Sequence, residues 1–292
     1  MKKNNWVMEF SIQKDGFHGH LFRPLKNDYH GRALLVLGGG GMPYQSTLDL
    51  AEAFTGLGIT ALAVGYFGVP NAPKTIVRVP IEYVENAAKK LHSMEMAAVI
   101  AVGFSKGAEL ALVSASLISQ VNGVIALSPP SRVYMGVGKG ISWVNESSWS
   151  FRGKELPYAY APSSGMQALW YTFRKRELTF RSVYERANKT APSDSSIPVE
   201  SIQGPVFVAA AKFDSLWPAA EACYEMGKRL SDSLFPYPHK EMVYHYASHF
   251  LLPFETSYER LFRVGRKYPK ECRQTVLAIR KEILEWLKQE YH

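Results

Sequence analysis

The sequence has few cysteines, no long apolar run and no cluster of metal-ligating residues. Its two cysteines, Cys223 and Cys272, lie far apart without zinc-type spacing, which favours a reducing compartment over a disulfide scaffold. No stretch approaches the ~20 apolar residues that span a bilayer, and the basic N-terminus is not followed by the apolar core of a secretory signal. We therefore predict a soluble, cytoplasmic protein with no membrane span, metal or other cofactor.

Acidic residues are also scarcer than basic ones, 26 against 34, so the formal net charge is +8 and the pI is about 9.3. This balance suits a polyanionic partner. The lysines and arginines are scattered, however, and no basic helix or aromatic platform of a nucleic-acid-binding protein is present, which predicts no nucleic-acid partner. A solvated basic surface and a phosphate-bearing small molecule, such as a coenzyme A ester, are both compatible with the charge.

Strand-like apolar runs alternate with helix-like segments over most of the chain. The predicted strands are a hairpin over residues 7–12 and 17–22, followed by residues 33–37, 59–64, 97–102, 121–127, 204–211 and 240–246. The predicted helices cover residues 46–54, 80–92, 108–116, 219–230, 261–264 and 269–289. This alternation predicts an α/β fold with a mostly parallel central sheet and helices on both faces. Because no repeat or linker interrupts it, we predict a single domain over residues 1–292.

The alternation stops between about residues 129 and 202, where aromatic side chains are dense. The rings considered are Trp143, Trp149, Phe151, Tyr158, Tyr160, Trp170, Tyr171 and Phe173. A helix is predicted over residues 167–187. An insertion at this point of such a fold is interpreted as a cap over the site. Its rings either line an apolar acyl pocket or pack the insertion onto the sheet.

Residues 103–107, GFSKG, match the G-x-S-x-G pattern and lie between a predicted buried strand and a helix. In that pattern the serine occupies a sharp strand-to-helix turn and projects its hydroxyl outward. The glycines are required because a Cβ on either side would collide with the neighbouring strand or helix. Ser105 is therefore the predicted nucleophile. The alternative is an ordinary strand-to-helix turn with a capping serine.

Four consecutive glycines, residues 38–41, follow the strand at 33–37. In an α/β-hydrolase one oxyanion donor comes from this loop and the other from the residue after the nucleophile. This predicts the backbone N–H of Lys106 and that of Gly39 or Gly40 as the oxyanion hole. A phosphate-binding loop is the competing interpretation, but neither glycine-rich phosphate motif is matched well.

An activated serine needs a base, and the base needs an orienting carboxylate. Asp214 and His249 each follow one of the last two predicted strands, in the order Ser, Asp, His that the fold uses. Because the carboxyl ends of parallel strands meet at one edge of the sheet, both should lie near Ser105. The less favourable candidates are a histidine predicted inside the last strand, an acid at the opposite edge and an acid in a solvated loop: His245, Asp232 and Asp194.

Beyond these residues, several separated motifs resemble the catalytic domain of the acyl-CoA thioesterase and bile acid-CoA:amino acid N-acyltransferase family. They are GFSKGAEL at 103–110, Tyr66 followed by APKT at 72–75, EY at 82–83, FRGKELP at 151–157, IPVE at 197–200, and the stretch from Asp214 through Trp217 to KRL at 228–230. The resemblance implies an α/β-hydrolase fold and hydrolysis of acyl-CoA thioesters, with Ser105, Asp214 and His249 as nucleophile, acid and base. The chain is also similar to dienelactone-hydrolase-like enzymes.

The predicted function is therefore that of a serine acyl hydrolase that cleaves an acyl-CoA thioester through an acyl-enzyme. Three alternatives stay open: a carboxylesterase or dienelactone-hydrolase-like enzyme on oxygen esters, an acyl-CoA:amino acid N-acyltransferase, and a non-catalytic binding protein with this fold. The acyltransferase branch of the family uses a cysteine nucleophile, so the serine at position 105 favours hydrolysis over transfer.

Overall fold

The computed structural model describes residues 6–140, 142–162 and 165–290; residues 1–5 and 291–292 of the predicted domain lie outside the described part. The strands are β1 Met8–Phe10, β2 His18–Phe22, β3 Arg32–Leu37, β4 Thr60–Gly65, β5 Val79–Pro80, β6 Ala98–Phe104, β7 Val124–Leu127, β8 Met135–Val137, β9 Trp143–Ser147, β10 Trp149–Phe151, β11 Lys154–Glu155, β12 Val206–Ala211 and β13 His239–Tyr244. The helices are α1 Ile12–Asp15, α2 Tyr44–Thr55, α3 Glu82–Ser93, α4 Lys106–Leu117, α5 Gly165–Lys175, α6 Arg181–Lys189, α7 Ala219–Asp232, α8 Arg263–Lys267 and α9 Pro269–Gln289, with 3-10 turns at Ser193–Ser195, Val199–Ser201 and Ser257–Leu261.

Eight strands form the central sheet in the order β1-β2-β4-β3-β6-β7-β12-β13. From β4 to β13 all neighbours pair in parallel, and in this register Leu37 lies opposite Val64 and Gly103. Only the β1–β2 hairpin adds an antiparallel edge, since β2 runs against both β1 and β4. The predicted mostly parallel sheet is confirmed, and its carboxyl edge is the place where loops from several strands converge.

The central strands are buried on both faces because helices cover each side. In β3, Leu35 and Leu37 point into one core and Leu34 and Val36 into the other, as the two-residue period of a strand requires. Apolar faces of α3, α4 and α7 fill the first core, and those of α2 and α9 fill the second. The apolar stripe predicted for α9 is buried in full: Val276, Ile279, Ile283, Trp286 and Leu287.

The hairpin predicted over residues 7–12 and 17–22, with a tight turn at residues 14–16, is present, but its connection differs from that turn. Met8 pairs with Leu21 across β1 and β2, while the linking residues form the single-turn helix α1. Gly16 ends this turn with φ of 77°, a left-handed conformation that glycine adopts at little cost. The chain therefore reverses at the predicted place, but it does so through a short helix ended by Gly16.

The segment between β7 and β12 carries two small sheets and two helices. β8 pairs with β9, and β10 pairs with β11 and also, in parallel, with β5 from the stretch before α3. The pairing with β5 fastens this segment to the part of the chain that precedes α4, the helix that begins after the turn at Ser105, here called the elbow. The sequence did not predict β5, because a two-residue strand has no periodicity of its own.

The single helix predicted over residues 167–187 is wrong, since α5 and α6 are separated by residues 176–180. The Arg176 N–H donates to Phe173 O at 3.2 Å and the Glu177 N–H to Thr172 O at 3.2 Å, while Arg176 has φ of 51°. These are the two hydrogen bonds and the left-handed residue of a Schellman motif, a helix ending in which glycine is usual. Because an arginine holds that position, the sequence contains no helix-stop signal here.

Across the described ranges, no helix is long and apolar enough to cross a membrane. Within the same ranges, no group of three or more His, Cys, Asp or Glu side chains could hold a metal ion. Cys223 and Cys272 are free and buried, as predicted, and burial raises the pKa of both thiols.

Candidate active site

Ser105 lies in a tight turn between β6 and α4, as the glycine pattern predicts. Its backbone has φ of 56° and ψ of −120°, a conformation that is strained for a residue with a side chain. A Cβ on Gly103 would lie 2.1 Å from Gly107 O, and one on Gly107 would lie 2.2 Å from Leu37 O. The Ser105 N–H donates to Leu127 O at 2.9 Å. The close approach of strand and helix therefore requires both glycines and holds the serine in its strained conformation.

Asp214 and His249 lie beside Ser105 at the carboxyl edge of the sheet. His249 Nδ1 is 2.7 Å from Asp214 Oδ2, and His249 Nε2 is 2.8 Å from Ser105 Oγ. Both the imidazole and the carboxylate are buried, with exposed side-chain fractions of 2% and 0%. The structure therefore brings the three predicted residues together in one hydrogen-bonded chain.

The loops that carry the acid and the histidine are held by further hydrogen bonds. The Leu216 N–H donates to Asp214 Oδ1 at 2.8 Å, which leaves Oδ2 for the imidazole. The Ser128 hydroxyl donates to His249 O at 2.7 Å, and Trp217 Nε1 donates to Ser128 O at 3.1 Å. With Nδ1–H donating to the carboxylate, Nε2 is the acceptor that faces the serine hydroxyl. This arrangement can remove the hydroxyl proton as the oxygen attacks an acyl carbon.

The glycine loop after β3 lies next to the serine. Gly40 lines the same cavity as Ser105 and Lys106, and a Cβ on Gly40 would come within 3.1 Å of Lys106 Cγ. Gly39 packs against Phe104, whose ring a Cβ would meet at 2.9 Å. Lys106 is the first residue of α4, so its N–H has no acceptor within the helix. Gly40 is thus the better placed of the two predicted glycines, and the oxyanion role of both groups stays a prediction.

A cavity of about 160 Å³ opens directly onto Ser105 and His249. Its other walls are mostly apolar and aromatic: Val137, Trp143, Phe180, Tyr184, Leu216 and Trp217. Of the eight rings considered from the sequence, only Trp143 lines this cavity. Trp149 is instead fully buried in the core, and Trp170 and Phe173 are exposed. Both interpretations of the insertion's rings therefore hold in part, and three of the lining rings lie outside the set considered: Phe180, Tyr184 and Trp217.

Beneath the elbow lies a buried ion pair that was not predicted from the sequence. Lys106 Nζ is 2.8 Å from Glu109 Oε2 and donates to Ser148 Oγ at 2.7 Å. Glu109 Oε1 accepts from the Tyr134 N–H at 2.9 Å and from Trp149 Nε1 at 2.8 Å. Three of these partners belong to the segment between β7 and β12, so the pair joins that segment to α4.

The two charges of this pair are almost wholly removed from water, with exposed fractions of 3% and 0%. Burial lowers the pKa of the Lys106 ammonium and raises that of the Glu109 carboxyl, while the attraction between them opposes both shifts. The spacing of three residues within a helix brings them to one face, which is the signal by which the sequence could have shown the pair.

The rejected candidates lie apart from Ser105. His245 follows β13, exposed, with its ring against Phe213, so its predicted place inside the strand is wrong. Asp232 ends α7 and pairs with Lys228, and Asp194 is exposed in a 3-10 turn. None of them contributes to the hydrogen-bonded chain.

Two further histidines, His18 and His20, are buried in β2. His20 Nδ1 bonds to the Tyr44 hydroxyl at 2.9 Å, and the rings of His18 and His20 contact each other edge to face. Burial lowers the pKa of both imidazoles, and the nearby Glu9 carboxylate opposes this shift. They pack the edge of the sheet and do not face Ser105.

The sheet order, the elbow and the loops at the carboxyl edge define an α/β-hydrolase. A Klebsiella pneumoniae structure assigned as a dienelactone hydrolase superposes with a TM-score of 0.54 at 13% identity, and the match covers 97% of this chain and 98% of that one. At this identity the likeness shows the fold alone, which confirms the predicted α/β-hydrolase fold.

Within that class, the chain belongs to the family described as BAAT / Acyl-CoA thioester hydrolase C terminal, whose sequence profile matches residues 79–256. Acyl-coenzyme A amino acid N-acyltransferase 2 of Rattus norvegicus is 27% identical over 117 residues, 35% of this chain. Acyl-coenzyme A thioesterase 2, mitochondrial, of Mus musculus is 28% identical over 117 residues, 39% of this chain. The matches span only 28% and 24% of those two proteins. The predicted family is therefore confirmed, and the chain is a hydrolase-fold relative of thioesterases.

Proposed function

We propose that the protein is a serine hydrolase that cleaves acyl-CoA thioesters. The observation that carries the proposal is the continuous hydrogen-bonded chain from Asp214 through His249 to Ser105, which ends at a small apolar cavity. A nucleophile next to a base, with the base oriented by a third group, is the arrangement required for acyl transfer. Family membership and the names of the two relatives, an acyl-coenzyme A N-acyltransferase and an acyl-coenzyme A thioesterase, support an acyl-CoA as the substrate.

In the first half-reaction, Ser105 Oγ attacks the thioester carbonyl carbon while its proton passes to His249 Nε2. The tetrahedral oxyanion accepts hydrogen bonds from the N–H groups of Lys106 and Gly40. The carbon–sulfur bond then breaks, and the proton on Nε2 moves to the leaving thiolate. The free thiol of coenzyme A departs, and the acyl group stays esterified to Ser105.

In the second half-reaction, water attacks the ester carbonyl as His249 Nε2 accepts one of its protons. The bond between the acyl carbon and Ser105 Oγ breaks, and Oγ takes the proton back from Nε2. Asp214 stays ionised throughout and stabilises the imidazolium that forms twice in the cycle. Carboxylic acid and free coenzyme A are the products, and the enzyme returns to its starting state.

The test compares wild type with Ser105→Ala, which removes one oxygen from a site that is not part of the core. Release of free thiol from a series of acyl-CoA esters is measured with a thiol reagent, and circular dichroism and thermal unfolding verify the fold. We expect wild-type turnover and a loss of roughly 10³-fold or more in the variant. Full activity of a folded Ser105→Ala protein would contradict the proposal, as would the absence of thiol release by wild type.

Further controls distinguish thioester hydrolysis from oxygen-ester hydrolysis, from acyl transfer to an amine and from binding without catalysis. Values of kcat/KM for p-nitrophenyl esters with the same acyl groups measure any preference for oxygen esters. Addition of glycine or taurine, with detection of an amide product by mass spectrometry, measures transfer to an amine in place of water. Labelling of Ser105 by a fluorophosphonate distinguishes an enzyme from a binding protein, since labelling requires an activated serine.

A further inference from the structure

Beside the catalytic cavity lies a second cleft, of about 740 Å³, whose charged wall is mostly arginine. Its arginines come from the end of α5 and from the chain around α8: Arg174, Arg176, Arg260 and Arg266. Glu177 is the one carboxylate among its lining residues, and its Oε1 accepts the backbone N–H of Arg263 at 3.0 Å. Among the described residues, none of the four arginines forms an ion pair.

One of these arginines is fixed in place by hydrogen bonds to two backbone carbonyls. The Arg266 guanidinium donates to Arg260 O at 2.9 Å and also to Arg176 O, so one side chain clamps the two segments together. Arg176 itself occupies the left-handed position of the Schellman motif, where glycine is usual and the backbone of an arginine is strained. A strained residue whose side chain lines a charged cleft points to a use for that side chain.

One aromatic ring borders the same cleft, and a second lies against one of its arginines. Phe173 lines it with 83% of its surface exposed, an unusual state for a phenylalanine. The Arg174 guanidinium lies over the Trp170 ring, 5.3 Å from its centre. Arginines that can bind phosphate oxygens in pairs, next to exposed rings on which a base can stack, match the chemistry of a nucleotide with several phosphates.

The cleft lies near the reaction centre. Leu178 lines the arginine cleft and Phe180, two residues further along the chain, lines the cavity at Ser105, so the Cα atoms of these two residues are at most ~7 Å apart. This stretch is hydrogen-bonded to the loop of the acid, since the Ser215 hydroxyl donates to Leu178 O at 2.8 Å and Thr179 Oγ1 donates to Ser215 O at 2.9 Å. A ligand with a long flexible arm could thus lie in both spaces at once.

The adjoining cleft of about 730 Å³ is a poorer phosphate site, although it also borders Asp214. Four carboxylates line it, Glu177, Glu185, Asp214 and Glu221, against three cations, Lys175, Arg181 and Lys212. Arg181 moreover pairs with Glu185 at 2.7 Å and with Glu221, so the acidic groups outweigh the cations that could bind a phosphate. We infer that the arginine cleft, and not this neighbour, binds the phosphorylated adenosine end of coenzyme A, while the acyl group lies in the cavity at Ser105. This inference rests on the proposed function.

The test uses two thioesters of the same acyl group, one of coenzyme A and one of N-acetylcysteamine, which lacks every phosphate. Arg176→Gly removes the guanidinium and at the same time relieves the left-handed backbone, so the fold is retained. We expect the variant to raise KM for the acyl-CoA roughly tenfold, the effect of losing a charge-assisted hydrogen bond, and to leave kcat/KM for the N-acetylcysteamine thioester within about twofold. Arg23→Gln is the matched control, since Arg23 is an exposed arginine at the opposite edge of the sheet.

A second measurement does not depend on turnover. Binding of coenzyme A without its thiol is followed by titration calorimetry for wild type, Arg176→Gly and Arg23→Gln, and we expect weaker binding only in Arg176→Gly. Equal binding by all three proteins, or an equal effect of Arg176→Gly on both thioesters, would overturn the cleft assignment even if the thioesterase activity is real. If Arg176→Gly instead abolishes sedimentation with phosphatidylglycerol vesicles and leaves coenzyme A binding intact, the cleft serves an anionic lipid surface and the inference is wrong. Failure of wild type to hydrolyse either thioester would instead count against the proposed function.

Discussion

The buried pair of Lys106 and Glu109 gives the sharpest stability prediction. Lys106→Met keeps an unbranched side chain of similar length, including the Cβ and Cγ that pack near Gly40, and removes only the ammonium. The carboxylate of Glu109 then stays buried at 0% exposure, with two N–H donors and no cation. Removing one partner of a buried pair costs roughly 3–5 kcal/mol, because the other charge is left uncompensated. That is a large part of the ~5–15 kcal/mol by which a domain is usually stable.

A double-mutant cycle isolates the charge effect. Glu109→Gln retains an oxygen that can accept from Tyr134 N–H and Trp149 Nε1, and in the double variant Lys106→Met/Glu109→Gln both charges are gone. We expect each single variant to lose stability and the double variant to recover at least ~2 kcal/mol of the summed loss.

The assay is equilibrium unfolding in urea, followed by circular dichroism and by tryptophan fluorescence, with the free energy extrapolated to zero denaturant. Trp149, which contacts the pair, is one of the six tryptophans that contribute to the fluorescence signal. Lys281→Met serves as the control, because Lys281 pairs with Glu285 on the surface at 74% exposure and should change stability by less than about 1 kcal/mol. A loss below ~1 kcal/mol for Lys106→Met, or strict additivity in the cycle, would show that the two buried charges do not stabilise each other.

Two other predictions concern the acyl cavity and the edge of the sheet. The cavity of about 160 Å³ at Ser105 is close in volume to the ~150 Å³ that holds a benzene molecule, and Phe180→Ala enlarges it. We expect kcat/KM for acyl chains longer than about six carbons to rise roughly tenfold relative to that for short chains. An unchanged dependence of kcat/KM on chain length would contradict the assignment of the cavity to the acyl group. Burial lowers the pKa of His18 and His20 below the ordinary 6.5, so the unfolded chain binds more protons than the folded protein as the pH falls, and urea titrations should show stability lost from about pH 6.5 downward. The double variant His18→Gln/His20→Gln should flatten this dependence of stability on pH. An identical slope in wild type and variant would show that these imidazoles do not cause it.

Most of the sheet, and the positions of Ser105, Asp214 and His249 at its carboxyl edge, could be predicted because strands and the turns that follow them have local sequence patterns. Apolar runs such as residues 33–37 are typical of strands covered on both faces, and neighbouring parallel strands bring Asp214 and His249 to one edge. The glycines at 103 and 107 signalled the elbow because no other residue fits between strand and helix there.

The parts that could not be predicted depend on contacts between distant segments. The spacing of Lys106 and Glu109 indicates that they can pair, but the sequence has no signal for the hydrogen bonds that Glu109 accepts from Tyr134 N–H and Trp149 Nε1, because these partners are brought over α4 by the insertion. The break between α5 and α6 has no sequence signal because Arg176 occupies a position where glycine is usual. Likewise, Phe180 and Tyr184 line the acyl cavity because of the angle at which α6 packs, a tertiary feature without a periodicity.

The segment between β7 and β12 is attached to the rest of the molecule at two places, and this limits how substrate can reach Ser105. At one place Glu109 and Lys106 bind Tyr134 and Ser148; at the other Thr179 bonds to the loop of the acid. A lid that is fixed at one place can swing open, whereas one fixed at two places cannot rotate away without breaking buried polar contacts. Under the proposed function, an acyl group would therefore reach Ser105 through an opening whose walls stay in place. The shape of that opening would then filter substrates before any chemistry begins, so that a bulky branched acyl group is rejected by the width of a passage that a long straight one passes.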